Sequence, residues 1–400
     1  MKKKMLITCT VVLVTAAVIL GFVLKNQVRE NPDKNTVNVA IGQWGTTQNE
    51  SQNYWNPDNH AVAKGMGGYY FIQTTDGISK IAFFDETTQE AVAVCAKPEC
   101  THSDNTCNAY LCDMKQTGSA LYLTDTIYCY NGYLYLIQCE GGMGKLVRIH
   151  TDGSARETIA DLFANTGVSS ISLVFHENDV YAYDDTGHAG QEEEAEEVIK
   201  KISLTDGTEQ TVFSYTGTGA SIDRGRSFGD KLYFVIREYT KNKETKAVSS
   251  DYKGLFEYDF ATGDTRKVID ADVCDYHADT ENQTLFYFVQ GTGLYAYDMT
   301  QGSNTLIYPA EDELIQCKMS YDGKNLYLFN NGAGRAIETK TRIQRYCYVL
   351  DTKGNQIAKI LCNGVVYFGD TDYLFEENGD NLEYMKKENL SDKSEWIQVN

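Results

Sequence analysis

From Gly68 to the C-terminus the chain repeats one grammar seven times. An aromatic-rich alternating segment is followed by a turn. A second segment ends near aspartate, a "TDG", "ATG" or "TKG" turn comes next, and a third segment closes the unit. "GYYFIQTTDGISKIAFFDETTQEAVAVC" at Gly68, "GYLYLIQCEGGMGKLVRIHTDGSARETIADL" at Gly132 and "QTLFYFVQGTGLYAYDMTQGSNTLIYPA" at Gln283 show the pattern. Further units open at Asp179, Asp230, Lys324 and Thr371. Alternation with period two, punctuated by Gly, Asp and Asn, is the signature of short strands joined by tight turns. Another short apolar strand precedes most units, as in "TIYCYN" at Thr126, "ISLVFHEN" at Ile171, "VCDYHAD" at Val273, "QCKMSYDG" at Gln316 and "VVYFGD" at Val365. That makes four strands per unit. Unit starts lie about 41 to 53 residues apart, except for a first interval of about 64.

A four-stranded sheet cannot bury both faces alone, whereas radial stacking buries them and leaves only short edges. The expected fold is therefore all-β, a seven-bladed β-propeller over residues 60–400, with six or eight blades as the alternatives. The one helix-like piece, "QEEEAEEVIKK" at Gln191, is expected as a solvated loop or short helix inside a hairpin of the third unit.

The units, especially "KLVRIHTDGSARETIADL" and "GLYAYDMTQGSNTLIYPA", resemble the TolB-type propeller repeats of Gram-positive membrane- or lipid-anchored extracytoplasmic proteins of unknown function. "VCAKPECTHSDNTCNAYL" resembles a cysteine segment near the start of such propellers. The resemblance covers roughly His60 to the C-terminus. It implies an extracytoplasmic binding propeller and transfers no catalytic residue. Trp-Asp repeat endings, "YWTD" and the aspartate boxes of sialidases are absent from the sequence.

Ahead of the repeats stands "MKKKMLITCTVVLVTAAVILGFVLKNQ". The uncharged run from Met5 to Leu24 is long enough to span a bilayer as a helix, and Lys2 to Lys4 hold its start in the cytoplasm. Residues 1–25 are thus expected to be a retained single-pass transmembrane anchor, preferred to a cleaved signal peptide. Cys9 lies within it. Residues 26–59 read as an extracytoplasmic linker, and the domain after them as lying outside the cell membrane. The formal net charge of −20 argues against nucleic-acid partners, because phosphate neutralisation needs a basic surface.

The segment 95–112 holds four cysteines and one histidine, and it accounts for the surplus of the first interval. It is expected as an insertion between the outer strand of the first blade and the inner strand of the second. Outside the membrane, disulfides among Cys95, Cys100, Cys107 and Cys112 are the first expectation, with Cys100–Cys107 closing a short loop inside Cys95–Cys112. A structural zinc held by Cys95, Cys100, His102 and Cys107 is the alternative, as are free buried thiols. No other cofactor is implied. The surroundings of His102 are not basic, which disfavours a cysteine nucleophile. Cys129, Cys139, Cys274, Cys317, Cys347 and Cys362 sit in strand patterns and read as core residues.

The innermost strands of a propeller line its channel. Their candidate ligand-binding residues are Tyr130, His176, Arg224, Arg226, His277, Lys318, Tyr321 and Tyr367, with Phe228 beside them. The competing reading packs the rings between blades and leaves the charges in solvent. No G-x-S-x-G elbow, H-E-x-x-H or phosphate loop occurs. The sequence thus favours a module that binds a glycan, a peptide or a membrane-protein partner. A polysaccharide hydrolase or lyase, and a scaffold or sensor of a membrane complex, are the alternatives.

Overall fold

In the computed structural model the structure describes residues 37, 39–41, 51–116, 121–164, 171–184, 193–241, 248–330 and 344–399. The expected transmembrane anchor lies outside the described residues. No described helix is long and apolar enough to cross a membrane. The described helical structure is a single 3-10 turn, Ser51–Tyr54.

Seven antiparallel sheets follow one another along the chain, each ordered from an inner to an outer strand. Blade 1 comprises β1 (Val62–Gly65), β2 (Gly68–Thr75), β3 (Ile78–Asp85), β4 (Ala91–Ala93) and β5 (Tyr110–Asp113). Blade 2 comprises β6 (Leu121–Tyr130), β7 (Tyr133–Glu140), β8 (Met143–His150) and β9 (Glu157–Ala164), and blade 3 comprises β10 (Ile171–His176), β11 (Asp179–Asp184), β12 (Glu194–Ser203) and β13 (Glu209–Thr218). Blade 4 runs β14 (Ala220–Phe228), β15 (Lys231–Lys241), β16 (Val248–Asp259) and β17 (Thr265–Ile269). Blade 5 runs β18 (Val273–Asp279), β19 (Thr284–Val289), β20 (Gly293–Asp298) and β21 (Ser303–Pro309). Blade 6 runs β22 (Lys318–Tyr321), β23 (Asn325–Phe329), β24 (Arg345–Asp351) and β25 (Gln356–Cys362). Blade 7 closes with β26 (Val365–Phe368), β27 (Tyr373–Asn378), β28 (Asn381–Lys386) and β29 (Ile397–Gln398). The seven-bladed propeller expected from the repeat is the observed fold.

The repeated aspartate explains the third turn of each unit. In blade 4 the Asp259 carboxylate accepts the backbone N–H groups of Ala261 and Thr262 at 2.8 and 2.9 Å. Asp85, Asp298 and Asp351 make equivalent bonds. The carboxylate thereby supplies the acceptor that a tight turn lacks. The glycine that follows does two jobs. Gly354 has φ 85°, and a Cβ there would stand 2.0 Å from the Ile307 carbonyl oxygen on the outer strand of blade 5. The turn of one blade thus tucks under the edge of the blade before it.

The apolar clusters straddle neighbouring blades. One joins Tyr135, Ile137 and Leu146 of blade 2 to Leu173, Phe175 and Val180 of blade 3. Another joins Cys347, Val349 and Ile360 of blade 6 to Val366, Phe368 and Leu374 of blade 7. Burial of both faces, the reason for closure, is therefore achieved between sheets.

Two expectations change. The stretch Glu194–Ser203 is strand β12, paired with β13 from Glu194↔Thr218 to Ile202↔Glu209. Its local helix preference yields to ladder pairing, because Glu197, Ile199 and Ile202 are buried from an extended backbone. The insertion also lies elsewhere than expected. β4 pairs with β3 at Ala82–Phe84, and β5 pairs with β3 at Ile78–Lys80. Val94 N–H donates to the Ile81 carbonyl at 3.0 Å, and Ile81 N–H donates to the Ala109 carbonyl at 2.9 Å. The excursion therefore interrupts the outer strand of blade 1 instead of following it, and Cys112 belongs to the returning half.

Every blade is made from one contiguous stretch, so no strand is exchanged where blade 7 meets blade 1. The seam is closed by side chains: Tyr69, Phe71 and Phe84 of blade 1 against Tyr373, Phe375 and Tyr384 of blade 7, with Trp55 among them. The Tyr69 hydroxyl reaches Asp370 at 2.8 Å, and the Lys64 ammonium lies 3.1 Å from the same carboxylate. Trp55 is 1% exposed and packs on Tyr69 and Phe375 at centroid distances of 6.0 and 5.9 Å. Trp55→Ala should destabilise the protein by about 3–5 kcal/mol, the usual range for emptying a large buried aromatic site. Thermal or urea unfolding of the variant against wild type checks this, with Trp396→Ala, on the outer side of blade 7, as the milder control.

Candidate functional site

The channel is occupied by the protein's own chain. Residues 51–59, read from sequence as the end of a linker, lie inside the ring. Gln52 donates its side-chain amide to the Phe175 carbonyl at 2.7 Å and accepts the Phe175 N–H at 2.9 Å. Asn53 donates to the Ser227 carbonyl at 2.7 Å. The Ser320 hydroxyl donates to the Tyr54 carbonyl at 2.7 Å, and the Ser172 hydroxyl to the Pro57 carbonyl at 3.1 Å. Asn56 N–H donates to the Tyr367 carbonyl at 3.0 Å. Four blades thus grip this nine-residue segment through their innermost strands. The contacts of Gln52 and Asn53 at Phe175 and Ser227 lie where those strands finish, and those of Pro57 and Asp58 at Ser172 and Lys318 lie where they begin, so the segment runs along the axis.

The candidate residues on the inner strands serve this plug and the inter-blade packing. The Arg224 guanidinium pairs with Asp58, and Lys318 Nζ lies 3.3 Å from the same carboxylate. Arg226, 1% exposed, pairs with Asp275 at 2.7 Å and donates to the Met319 carbonyl at 2.8 Å. The His277 Nε2 lies 2.9 Å from the Asn53 carbonyl. His176 stacks on Phe260 with centroids 3.8 Å apart. Tyr130 packs on Phe175, and its hydroxyl donates to the Glu177 carbonyl at 3.2 Å. Tyr321 donates to Asp279 at 2.8 Å, Phe228 packs on Tyr276, and Tyr367 donates to Glu377 at 2.6 Å. The rings do pack between blades, as the competing reading held. The charges do not sit in solvent: the plug's Asp58 and the inner-strand Asp275 neutralise them. Sequence reasoning missed Asn53, Trp55, Asn56 and Asp58. A tryptophan between asparagines, in a chain with only 3 tryptophans, was the available signal.

A cavity of about 230 Å³ lies where blades 7, 1 and 2 meet, lined by Phe71, Thr74, Asp125, Tyr367, Glu377 and Leu382 among others. Thr74 ends β2, Glu377 lies near the end of β27, and Asp125 lies in the first half of β6. These positions belong to the end where inner strands begin. Burial holds the Asp125 carboxyl above the ordinary carboxylate range. Its own backbone and Thr126 pull it back, while the nearby Glu377 charge adds to the rise. Burial and the bond to Glu377 push the Tyr367 hydroxyl up as well, so it stays a donor. Two carboxyls and a phenol on an apolar floor can accept hydrogen bonds from hydroxyls or bind a cationic group.

The cysteine excursion forms a third cluster. One donor atom from each of Cys95, Cys100, His102 and Cys107 lies within 4.8 Å of all the others. His102 Nδ1 is 3.3 Å from the Cys107 sulfur, and the Ala109 N–H donates to that sulfur at 3.3 Å. Burial opposes ionisation of Cys95. The backbone N–H groups of Lys97 and Asn108, with the Cys107 and Cys100 thiols, outweigh it and bring Cys95 to about 6. Burial pushes Cys107 up to about 11. All ten described cysteines are free thiols, and Cys274, Cys317, Cys347 and Cys362 are buried as expected of core residues. Cys129 and Cys139 are half-buried.

Fold and channel together define a plugged seven-bladed β-propeller. No family model matches the chain, and no curated protein matches it. Solved structures do. A prolyl endopeptidase structure aligns with a TM-score of 0.55 at 13% identity, over 84% of this chain and 49% of the other. The chain thus spans about half the length of that protein, and the likeness is one of fold. BamB from Moraxella catarrhalis aligns at 10% identity over 87% of this chain and 99% of its own, with a TM-score of 0.42. An oligogalacturonate lyase in complex with manganese aligns at 11% identity over 66% and 70%, with a TM-score of 0.41.

Two buried histidines at the plug make it pH-sensitive. Burial lowers His60 from 6.5 to about 4, despite its bond to the Ile127 carbonyl at 2.7 Å. Burial, reinforced by Arg226, lowers His277 from 6.5 to about 4. Between those values the unfolded chain takes up protons that the folded one refuses, so stability is full above about pH 6.5 and falls as pH drops toward 4. Each histidine contributes on the order of 3 kcal/mol across that window. Glu376, raised by burial from 4.5 to about 8, has the opposite slope, its contribution being lost as pH rises through 8. The histidine effect is therefore read as a difference. His277→Gln should show a shallower fall in melting temperature than wild type between pH 6.5 and 4, measured by scanning fluorimetry.

Proposed function

We propose that the protein is a membrane-anchored, extracytoplasmic binding propeller of the TolB-like kind, with its ligand docking in the cavity lined by Asp125, Tyr367 and Glu377. The observation that carries the reading is a cavity at the face where the inner strands begin, with two carboxyls and a tyrosine on an apolar floor beside the plugged axis. The uncharged run Met5–Leu24 behind three lysines supports the anchor, and the repeat resemblance supports the placement outside the cell. Phe71 and Leu382 offer a surface on which a sugar ring or an alkyl stem can lie, while Glu377 and Asp125 accept from hydroxyls or an ammonium. The ligand class is accordingly a glycan or a lysine- or arginine-bearing peptide segment of a partner. The net charge of −20 favours the cationic side of that choice.

One observation favours a second reading. A carboxyl raised by burial near a second carboxylate is the equipment of a polysaccharide hydrolase or lyase, and Asp125 with Glu377 resembles that pairing. In binding assays against a glycan array and a set of basic peptides, Glu377→Gln should weaken the best ligand by about tenfold or more, the scale of a lost charge-assisted bond. The fold is kept, because Glu377 lines the cavity. Unchanged affinity in that variant removes the site from this cavity. Release of reducing ends from a bound polysaccharide, abolished in Asp125→Asn, establishes the enzyme instead.

A further inference from the structure

The excursion of residues 95–108 poses a problem of its own stability. It leaves the ladder at Val94 and returns at Ala109, both bonded to Ile81, so its ends are fixed while the residues between form no strand. Its sequence, "CAKPECTHSDNTCN", offers almost no apolar surface apart from its cysteines. Yet Cys107 is buried, and Cys95, Cys100 and His102 turn inward together while Lys97, Glu99, Asp104 and Asn105 remain exposed. Glu99 and His102 hold φ of 60° and 55°, values that residues with a side chain adopt rarely and that aim Cys100 and the imidazole at the common centre.

We infer that this loop is a structural zinc site with Cys95, Cys100, His102 and Cys107 as its four ligands. A tetrahedral ion with zinc–sulfur bonds of about 2.3 Å and a zinc–nitrogen bond of about 2.0–2.1 Å sets its donors roughly 3.5–3.8 Å apart. The four donors already fall within 4.8 Å of one another, and His102 Nδ1 and the Cys107 sulfur are 3.3 Å apart. The backbone N–H of Ala109 that donates to the Cys107 sulfur is the outer support a thiolate ligand needs. A disulfide uses two of the three convergent thiols and leaves a third thiol and an imidazole with no role. Cys112, the partner expected for Cys95, faces Ser79 in the ladder and is not part of the group. Four protein donors close the coordination sphere, so the ion holds structure and carries no catalytic water. The thiol protons pass to solvent as the metal binds.

What the ion would hold is the joint between blades 1 and 2. Cys107, Ala109 and Leu111 share one apolar cluster with Ile127, Leu134, Val147 and Ile149, and Cys95 and Cys100 pack on it. The Arg156 guanidinium donates to the Asn108 carbonyl. Gly153, at φ 81°, brings the outer turn of blade 2 against the Val94 and Asn108 carbonyls, where a Cβ would stand 2.5 and 3.0 Å away.

The test uses the full-length chain purified in detergent under reductant and then freed of metal. Zinc added at neutral pH should bind one equivalent by elemental analysis, and cobalt(II) should give the visible absorption of a tetrahedral thiolate site. Chelation should expose three additional thiols to a thiol reagent. Cys100→Ser and His102→Ala should weaken zinc at least tenfold, whereas Cys112→Ser should leave it unchanged. Three results would overturn the assignment: no retained metal, no change in reactive thiols on chelation, or a loss of binding in Cys112→Ser equal to that in Cys100→Ser. Because the thiol count is read on wild type, the outcome stands even where a ligand variant fails to fold.

Discussion

Closing a ring of sheets without exchanging a strand leaves one joint to be made mainly by side chains. Hydrogen-bonded ladders hold each blade together, but no described ladder joins a strand of blade 7 to a strand of blade 1; the backbone tie there runs through the plug, where Trp55 bridges Phe368. The joint rests on aromatic contact area, on the Tyr69–Asp370–Lys64 group and on Trp55, which belongs to neither blade. Trp55 couples ring closure to the occupied channel. The same segment that fills the axis also wedges the seam, so the two parts of the architecture are energetically one.

The axis follows the usual logic of buried charge. Arg224, Arg226 and Lys318 are tolerated at the centre of the ring because Asp58 and Asp275 face them and because the Met319 carbonyl and N–H complete the group. Removing one partner leaves the others desolvated and unpaired, which is the costly case for an ion in a protein interior. Such a cluster specifies which segment enters the channel more than it adds net stability. An uncharged residue in place of Asp58 would fit the space and take from Arg224 and Lys318 the carboxylate they share.

Much of the ring was legible in the sequence because its signals are local. Alternation, the aspartate before each third turn and the glycine after it are decided within a few residues, so blade number and inner-strand positions could be read directly. The stretch Glu194–Ser203 shows where locality fails: its composition favours helix, and only pairing with β13 makes it strand. The channel shows a larger failure. Arg224, Arg226, His277, Lys318 and Tyr367 were correctly placed on the innermost strands, but all except Arg226 find partners far back along the chain in "NYWNPD", where asparagine and proline look like linker punctuation. The thiol segment lies between these cases. Spacing supplied the possible ligands, and convergence of the four donor atoms appears only once the outer strand is seen to break at Val94 and resume at Ala109.

The plug also orders events in time. On a ribosome, residues 51–59 emerge before any blade, yet they are gripped by Phe175, Ser227, Ser320 and Tyr367, the last of which is made some 310 residues later. Contacts so distant along the chain form late. The nascent segment must therefore wait, unsatisfied, while six blades assemble around it. Translation has to be nearly complete before the axis can be sealed, so a chain truncated ahead of β26 would lack the inner strand that receives Asn56 and would release the very residues that were synthesised first.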